Sequence, residues 1–287
     1  MRTSTLLLAL TLLGACSNDT GTTTMSLGFS GLPELGDGYE YESWLIVDGA
    51  PVSAGRFTVD ADANPSPASF EIDSVVASDA TAYVLTIEPI EGDDPAPSAV
   101  HVLAGDLMGG VASLTTAHPA AIGTDFADAA GEYILETPTS EAVADDYAQG
   151  IWWLVPGADG MAPGLTLPAL PEGWVYEGWV ASEDGPVSTG TFTAADMADA
   201  DGAGETAGPD GSPPFPGQDF IDPAVVLTGG YAAVISVEPV PDDSPMPFVI
   251  KPLIDMSIDD VMAPDTQTME NAAASNLPSG SVTFASN

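Results

Sequence analysis

The chain has very few basic residues. It contains three Lys and Arg against 43 Asp and Glu among 287 residues, which gives a formal net charge of −40. Nucleic-acid binding needs cationic side chains against the phosphates, and only Arg56 and Lys251 lie beyond the N-terminal segment. The composition therefore excludes nucleic acid as a partner and disfavours adsorption to an anionic membrane. It suits a dispersed protein in a salty or extracellular medium.

Cysteine is almost absent as well. Cys16 is the only one in the sequence, so the mature chain has no internal disulfide and no thiolate metal site. It ends the segment MRTSTLLLALTLLGAC, in which Arg2 precedes an apolar run, Leu6–Leu13, that is too short to span a membrane. A buried structural cysteine is one interpretation, but the position and the flanking residues favour a lipid-attachment site.

The letters LGAC that end at Cys16 resemble the lipobox of bacterial lipoproteins. The resemblance implies a signal peptide over 1–15, a diacylglycerol on the Cys16 thiol and an acyl group on its new amine. Several acyl chains anchor a protein firmly, so we expect the membrane as a partner through lipidated Cys16. By the Gram-negative sorting rule, Ser17 in place of Asp implies the outer membrane. Residues 16–24 are small and polar and predict a flexible tether.

The chain also has no long amphipathic helical stripe, and a repeat dominates it instead. LPELGDGYEYESWLIVDGAPVSAGRFT (32–58) aligns with LPALPEGWVYEGWVASEDGPVSTGTFT (167–193). TAYVLTIEPIEGDDPAP (81–97) aligns with YAAVISVEPVPDDSPMP (231–247). The extra residues of the second copy fall in 195–218, a stretch rich in Gly, Pro and Asp that predicts a surface loop.

Each copy has the pattern of β-strands. Apolar and acidic residues alternate with a period of two over 39–48. The Asp-Gly pairs at 48–49 and 184–185 predict turns with positive φ, and Gly55 and Gly190 predict a bulge or a close approach in the strand that follows.

We therefore predict an all-β protein with two tandem antiparallel β-sandwich domains that arose by internal duplication. The first domain would cover 25–147 and the second 148–287, the second with its acidic insertion at about 195–218. A repeat of this length is too long for a solenoid and fits a duplicated domain.

Residues 39–97 contain, in order, the motifs WLIV, DG, PVSAGRF and TIEP. With these motifs they resemble the C-terminal extracytoplasmic domain of RskA-type anti-sigma-K factors. The same order returns within 174–247, so the resemblance covers both copies. It implies a β-sandwich, sensor-like module. Membrane anti-sigma factors of this family also carry a cytoplasmic helical sigma-binding domain and a transmembrane helix. This sequence has neither, so we expect that it does not hold a sigma factor in the cytoplasm.

Two groups of residues are candidates for binding. Trp44 and Trp179 occupy equivalent places, either as packed strand residues or as an exposed aromatic platform for a sugar or peptide. Acidic residues crowd the insertion, where carboxylate oxygens suit Ca²⁺ or, alternatively, form a solvated surface. The candidate calcium ligands are Asp199, Asp201, Glu205 and Asp210. None of them matches the EF-hand spacing.

No catalytic constellation accompanies these residues. Glu88 and Glu238 end equivalent strands, but they belong to separate copies and need not meet as the two carboxylates of a glycosidase do. His101 and His118 lack a third ligand pattern, and neither GxSxG nor a glycine-rich phosphate loop is present. We predict that the protein is not an enzyme and has no cofactor, with calcium as the one open possibility.

Three functional hypotheses follow. The first is a non-enzymatic, lipid-anchored envelope or cell-surface protein whose two anti-sigma-K-like domains form an interaction or structural module for a protein or glycan partner. The second is an extracytoplasmic component of sigma-factor or envelope-stress regulation. The third is a protein that binds or acts on polysaccharide, and it depends on exposed aromatic and carboxylate side chains.

Overall fold

The structure is a computed structural model, and its secondary structure is nearly all β. It describes residues 21–140, 146–158, 160–222, 224–242 and 244–285. Every ladder between named strands is antiparallel. The predicted all-β class is therefore confirmed. The predicted signal peptide and Cys16 lie outside the described residues.

The elements fall into two runs along the chain. The strands up to residue 140 are β1 (Thr22–Ser30), β2 (Tyr39–Val47), β3 (Ala50–Val59), β4 (Pro65–Ser66), β5 (Ser69–Asp73), β6 (Ala80–Pro89), β7 (His101–Asp106), β8 (Val111–Thr115) and β9 (Ala130–Tyr133). The later strands are β10 (Ile151–Trp152), β11 (Leu154–Gly157), β12 (Gly160–Pro163), β13 (Leu165–Thr166), β14 (Trp174–Ser182), β15 (Gly185–Phe192), β16 (Gly217–Gln218), β17 (Ala232–Pro239), β18 (Leu253–Asp255), β19 (Gln267–Asn271) and β20 (Ser279–Phe284). The helical elements are α1 (Ser74–Asp79), α2 (Ala273–Asn276) and a 3-10 turn (Tyr147–Gln149).

The first sheet has nine strands in the order β4-β3-β2-β6-β7-β8-β20-β1-β5. It curls because the short link between β4 and β5 joins its two edges: β4 pairs with β3, and β5 pairs with β1. The backbone N–H of Leu27 in β1 also donates to the carbonyl of Ala68 in this link, at 3.0 Å. One face of the sheet is thereby enclosed.

The second sheet has seven strands in the order β13-β9-β19-β18-β17-β14-β15. Its strands β15, β14 and β17 pair as β3, β2 and β6 do in the first sheet, in agreement with the sequence repeat. Equivalent tyrosines make the same contact. Tyr41 Oη donates to the Pro33 carbonyl at 2.9 Å, and Tyr176 Oη donates to the Pro168 carbonyl at 2.7 Å.

The hairpins follow their predicted local signals, except for the position of the second turn. Asp48 and Gly49 both have positive φ (51° and 78°) in the two-residue turn between β2 and β3, as a type I′ turn requires. The register shifts beside Gly55 and Gly190, which have φ of 123° and 97°. The predicted bulges are therefore present in both copies. The second turn lies one residue earlier than the predicted 184–185: its two residues are 183–184, and Gly185, with φ of 118°, opens β15.

Each sheet takes one strand from the predicted unit that supplies most of the other sheet, an arrangement that we call the strand exchange. β20, which ends the chain, pairs between β8 and β1 in the first sheet. β9, which follows the first copy, pairs between β19 and β13 in the second sheet. The predicted units 25–147 and 148–287 therefore do not coincide with the two sheets, since each unit contributes a strand to the sheet of the other.

The apolar core connects the two sheets. Buried side chains from both form one continuous cluster, which includes the fully buried Tyr133 of β9 and Val282 of β20. The Tyr133 ring packs edge-on against Trp153, with centroids 5.6 Å apart. The exchanged strands are thus part of the core.

The predicted tether is corrected at its C-terminal end. Residues 22–24 already belong to β1, because they pair with residues 71–73 of β5. The rest of the predicted tether, up to residue 20, lies outside the described residues.

Candidate functional site

A buried series of hydrogen bonds links Trp44 to the glutamate that ends β6. Trp44 Nε1 donates to Thr86 Oγ1 at 2.9 Å, and the Thr86 hydroxyl donates to Glu88. Glu88 in turn accepts the backbone N–H of Ser98 at 2.9 Å. Glu88 therefore fixes the loop that follows its strand.

The second copy repeats this series with its own residues. Trp179 Nε1 donates to Ser236 Oγ at 2.7 Å, and the Ser236 hydroxyl donates to Glu238. Glu238 accepts the backbone N–H of Phe248 at 2.9 Å. Each glutamate is thus bound within its own copy, and the hydrogen bonds give both a structural use.

The alternative of an exposed aromatic platform at Trp44 and Trp179 is corrected by their burial. Each side chain is 3% exposed. Trp44 packs with Val84, Ala104 and Ala121 on the outer face of the first sheet, because the loop after β8 covers that face. His101 Nδ1 donates a hydrogen bond to the Ala120 carbonyl in this loop at 2.8 Å, which gives this histidine a structural partner.

The two copies differ in the charge that lies next to the equivalent glutamates Glu42 and Glu177. In the first copy, Arg56 Nε lies 2.8 Å from Glu42 and its Nη1 3.0 Å from Glu40. The remaining guanidinium nitrogen, Nη2, contacts Asp93. A single cation therefore contacts three carboxylates.

Thr191 takes the place of Arg56 in the second copy, where GTFT replaces GRFT. Glu177 accepts a hydrogen bond from Ser188, as Glu42 does from Ser53. One oxygen each of Glu177, Glu238 and Asp242 lies within 4.8 Å of the others. We call these three residues the carboxylate cluster, and they are close enough together to surround a cationic group. Among the described residues no other group of three His, Cys, Asp or Glu is so arranged.

Burial and mutual repulsion set the protonation of this cluster. Burial raises the pKa of Glu238 to about 7, and the negative charges of Asp242 and Glu177 act in the same direction. Burial also raises the pKa of Glu177, with Asp242 and Asp201 contributing. Burial thus penalises the charged forms, and Thr191 supplies no guanidinium to offset this.

The insertion brings a second acidic pair close to the cluster. The carboxyl groups of Asp199 and Asp201 lie above Gly190, where an added Cβ would be 2.4 Å from Asp201 Oδ1 and 2.8 Å from Asp199 Cγ. Gly217 N donates to Asp199 Oδ2 at 2.8 Å. Burial, together with Asp201, raises the pKa of Asp199 to about 7.

The four candidate calcium ligands predicted from the sequence therefore do not come together in one group. Asp199 and Asp201 interact directly, whereas Glu205 and Asp210 are exposed and Asp210 is placed by its backbone N–H bond to Thr139 at 2.9 Å. Sequence reasoning missed the carboxylate cluster, although the change from Arg56 to Thr191 within a matched motif was the signal that could have revealed it.

A cleft of about 510 Å³ lies between the two copies. Its walls are mainly apolar, with prolines and aromatic rings from both sides. They include Tyr39, Pro89 and Val100 of the first copy and Pro239, Met246 and Phe248 of the second. Glu238 and Asp242 of the carboxylate cluster also line it. The cleft thus combines mainly apolar walls with the acidic side chains of Glu34, Glu238 and Asp242.

Comparison with protein families gives one match. Residues 13–102 match the model of a family described as the C-terminal part of the anti-sigma-K factor rskA. This part of the chain is similar to that family. The matched range contains Trp44, Arg56 and Glu88, and it does not extend to the second copy. No curated protein and no solved structure matches the chain.

None of the helices in the described part of the chain could span a bilayer.

Proposed function

We propose that the chain is a non-enzymatic, lipid-anchored protein of the cell envelope, with the outer membrane as its site, that binds a partner through two anti-sigma-K-like β domains. The observation that carries the proposal is the match of residues 13–102 to the anti-sigma-K C-terminal family. The lipobox-like LGAC segment and the excess of acidic residues support an extracytoplasmic location.

The hydrogen bonds of Glu88 and Glu238 support a binding role over a catalytic one. Each carboxylate is 1% exposed and is held by a hydroxyl and a backbone N–H of its own copy. A glycosidase needs two carboxyl groups that flank one substrate bond. These contacts offer no support for the polysaccharide hypothesis.

The cleft is the proposed binding site, and its proposed occupant is an apolar peptide segment with one basic residue. Proline and aromatic surfaces suit an extended apolar chain. The carboxylate cluster at one end is complementary to a Lys or Arg side chain, as Arg56 shows in the first copy. A peptide is favoured over a glycan because the walls are mainly apolar and rich in proline, and because Trp44 and Trp179 are buried.

The anchor is tested by metabolic labelling with a palmitate analogue and membrane fractionation of Cys16→Ser. We expect loss of label and release from the membrane, because Cys16 is the only thiol. Ser17→Ala, a change at the adjacent residue that leaves the thiol in place, is the control and should remain labelled. A Cys16→Ser protein that still partitions with membranes would refute the anchor.

The cleft is tested with short synthetic proline-containing peptides that carry a single Lys, and with the same peptides carrying Glu instead. Fluorescence anisotropy should show tighter binding of the Lys series. Met246→Lys, in the cleft, should weaken it, whereas Met256→Lys, at an exposed residue that does not line the cleft, should not. Equal binding of both series, or equal effects of both variants, would argue against this site.

A regulatory role is the second candidate, and the family match favours it. In that case the protein would be an extracytoplasmic component that works with a separate sigma/anti-sigma pair. Deletion of the gene should then change the transcripts of one sigma regulon under envelope stress. An unchanged set of transcripts would remove this candidate and leave the anchored binding protein.

A further inference from the structure

Two buried oxygen atoms at the acidic insertion have no hydrogen-bond donor. They are Asp199 Oδ1 and Gln218 Oε1, and neither accepts a hydrogen bond from the residues that the structure describes. Asp199 is 9% exposed and Gln218 8% exposed. A buried acceptor left unpaired destabilises a protein, and more so when it is charged. A cation, or a proton on Asp199, would satisfy such an acceptor.

Both side chains adjoin the turn at 199–204. The bond from Gly217 N occupies Asp199 Oδ2 and leaves Oδ1 available. The Gln218 side chain lies against the turn at Gly204, where an added Cβ would be 2.6 Å from Gln218 Cγ. The exposed carboxyl group of Asp201 lies beside that of Asp199 and leaves a path to solvent.

We propose that Asp199, Asp201 and Gln218 form a calcium-binding site that is separate from the peptide cleft. All three offer oxygen acceptors, which are the ligands of a hard cation, and two of them are acidic. Ca²⁺ accepts six to eight oxygens in irregular geometry, with water and carbonyl groups completing the set, whereas Mg²⁺ requires a nearly ideal octahedron. A bound Ca²⁺ would give Asp199 Oδ1 and Gln218 Oε1 a positively charged partner.

The carboxylate cluster is the weaker place for such an ion. Glu177 already accepts a hydrogen bond from Ser188, and Glu238 accepts bonds from Ser236 and Phe248. The charge of Lys251 also acts on Glu238. At the Asp199 site, by contrast, a carboxylate oxygen and an amide oxygen are both unpartnered.

The test is calcium titration of the purified full chain in detergent, by calorimetry and by thermal unfolding in EDTA and in millimolar Ca²⁺ at pH 8. We expect Ca²⁺ to raise the melting temperature, because an ion that binds only the folded chain stabilises it. Asp199→Asn and Gln218→Leu should each weaken the affinity about tenfold or more. Asp210→Asn makes the same charge change within the insertion and should alter the affinity less than about twofold.

Terbium luminescence gives a readout that does not depend on variant stability. Trp152 lies next to this site, since an added Cβ at Gly217 would be 2.7 Å from its ring. Tb³⁺ bound to the wild-type chain should therefore emit when tryptophan is excited, and Ca²⁺ should quench the emission by displacement. A wild-type melting temperature unchanged by Ca²⁺, or emission retained in full by a folded Asp199→Asn variant, would overturn the site. A proton on Asp199, and not a cation, would then account for the adjacent carboxyl groups of Asp199 and Asp201.

Discussion

Glu238 lies in a buried and strongly acidic environment. It is 1% exposed, and the groups that act on its charge are Asp242, Glu177 and Lys251. Its pKa rises from an ordinary value of 4.5 to about 7, first because of burial. Protonated Glu238 is therefore stabilised by folding, and this contribution is fully present below about pH 4.5 and is lost as the pH rises through 7.

Glu238→Gln should remove this pH dependence. The amide oxygen can still accept the bonds from Ser236 and Phe248, but it cannot be deprotonated. We expect the variant to be more stable than the wild type above pH 7, by up to about 3 kcal/mol, with the difference vanishing near pH 4.5. Urea unfolding at a series of pH values measures it.

The exposed Glu34→Gln is the control, since it removes a carboxylate from the wall of the same cleft. It should leave the pH profile close to that of the wild type. Parallel profiles for Glu238→Gln and the wild type would contradict the argument.

At the residue scale, the sequence indicates which face of a strand a side chain occupies better than it indicates which distant residues cover that face. Trp44 lies on the face opposite Tyr41 and Leu45, as the alternation of side chains along a strand requires. The alternation could not show that the loop after β8 covers that face, because this contact joins residues distant in sequence. The same limit applies to Asp199 and Gln218, which adjoin the same turn at 199–204 only because the insertion folds back on β16.

At the scale of elements, local signals were sufficient for the hairpins and not for the strand exchange. The turn at Asp48-Gly49 and the bulges at Gly55 and Gly190 depend on φ, which a few adjacent residues determine. The partners of β9 and β20 depend on pairings across the whole chain. Consecutive strands usually pair, so a boundary near 148 was the expected choice, and the exchange departs from that tendency.

Val282 tests whether β20 is integral to the first sheet. Its side chain is fully buried in the core, and its strand lies between β8 and β1. We expect Val282→Ala to lower the free energy of unfolding by about 2 kcal/mol through lost burial and a cavity. Thr283→Ala changes the next residue, whose side chain is exposed, and should cost much less. Similar values for both in chemical denaturation would mean that β20 is a loosely attached tail.

At the scale of the whole molecule, the strand exchange and the shared core link the two copies. The separation into 25–147 and 148–287 would remove β20 from the first sheet and β9 from the second. Each fragment would then expose the edges of two strands and a part of the core that includes Val282 or Tyr133. Unpaired edges and exposed apolar surface are unfavourable in water and promote association.

We therefore expect neither fragment to fold alone, and the intact chain to unfold in one cooperative transition. Calorimetry of the intact chain should give equal calorimetric and van't Hoff enthalpies. The fragments, expressed separately, should lack a cooperative transition, and mixing them should restore it because each supplies the strand that the other needs. A sharp melting transition in either fragment alone would show that the sheets are independent, and the exchange would then be a minor contact between two self-sufficient domains.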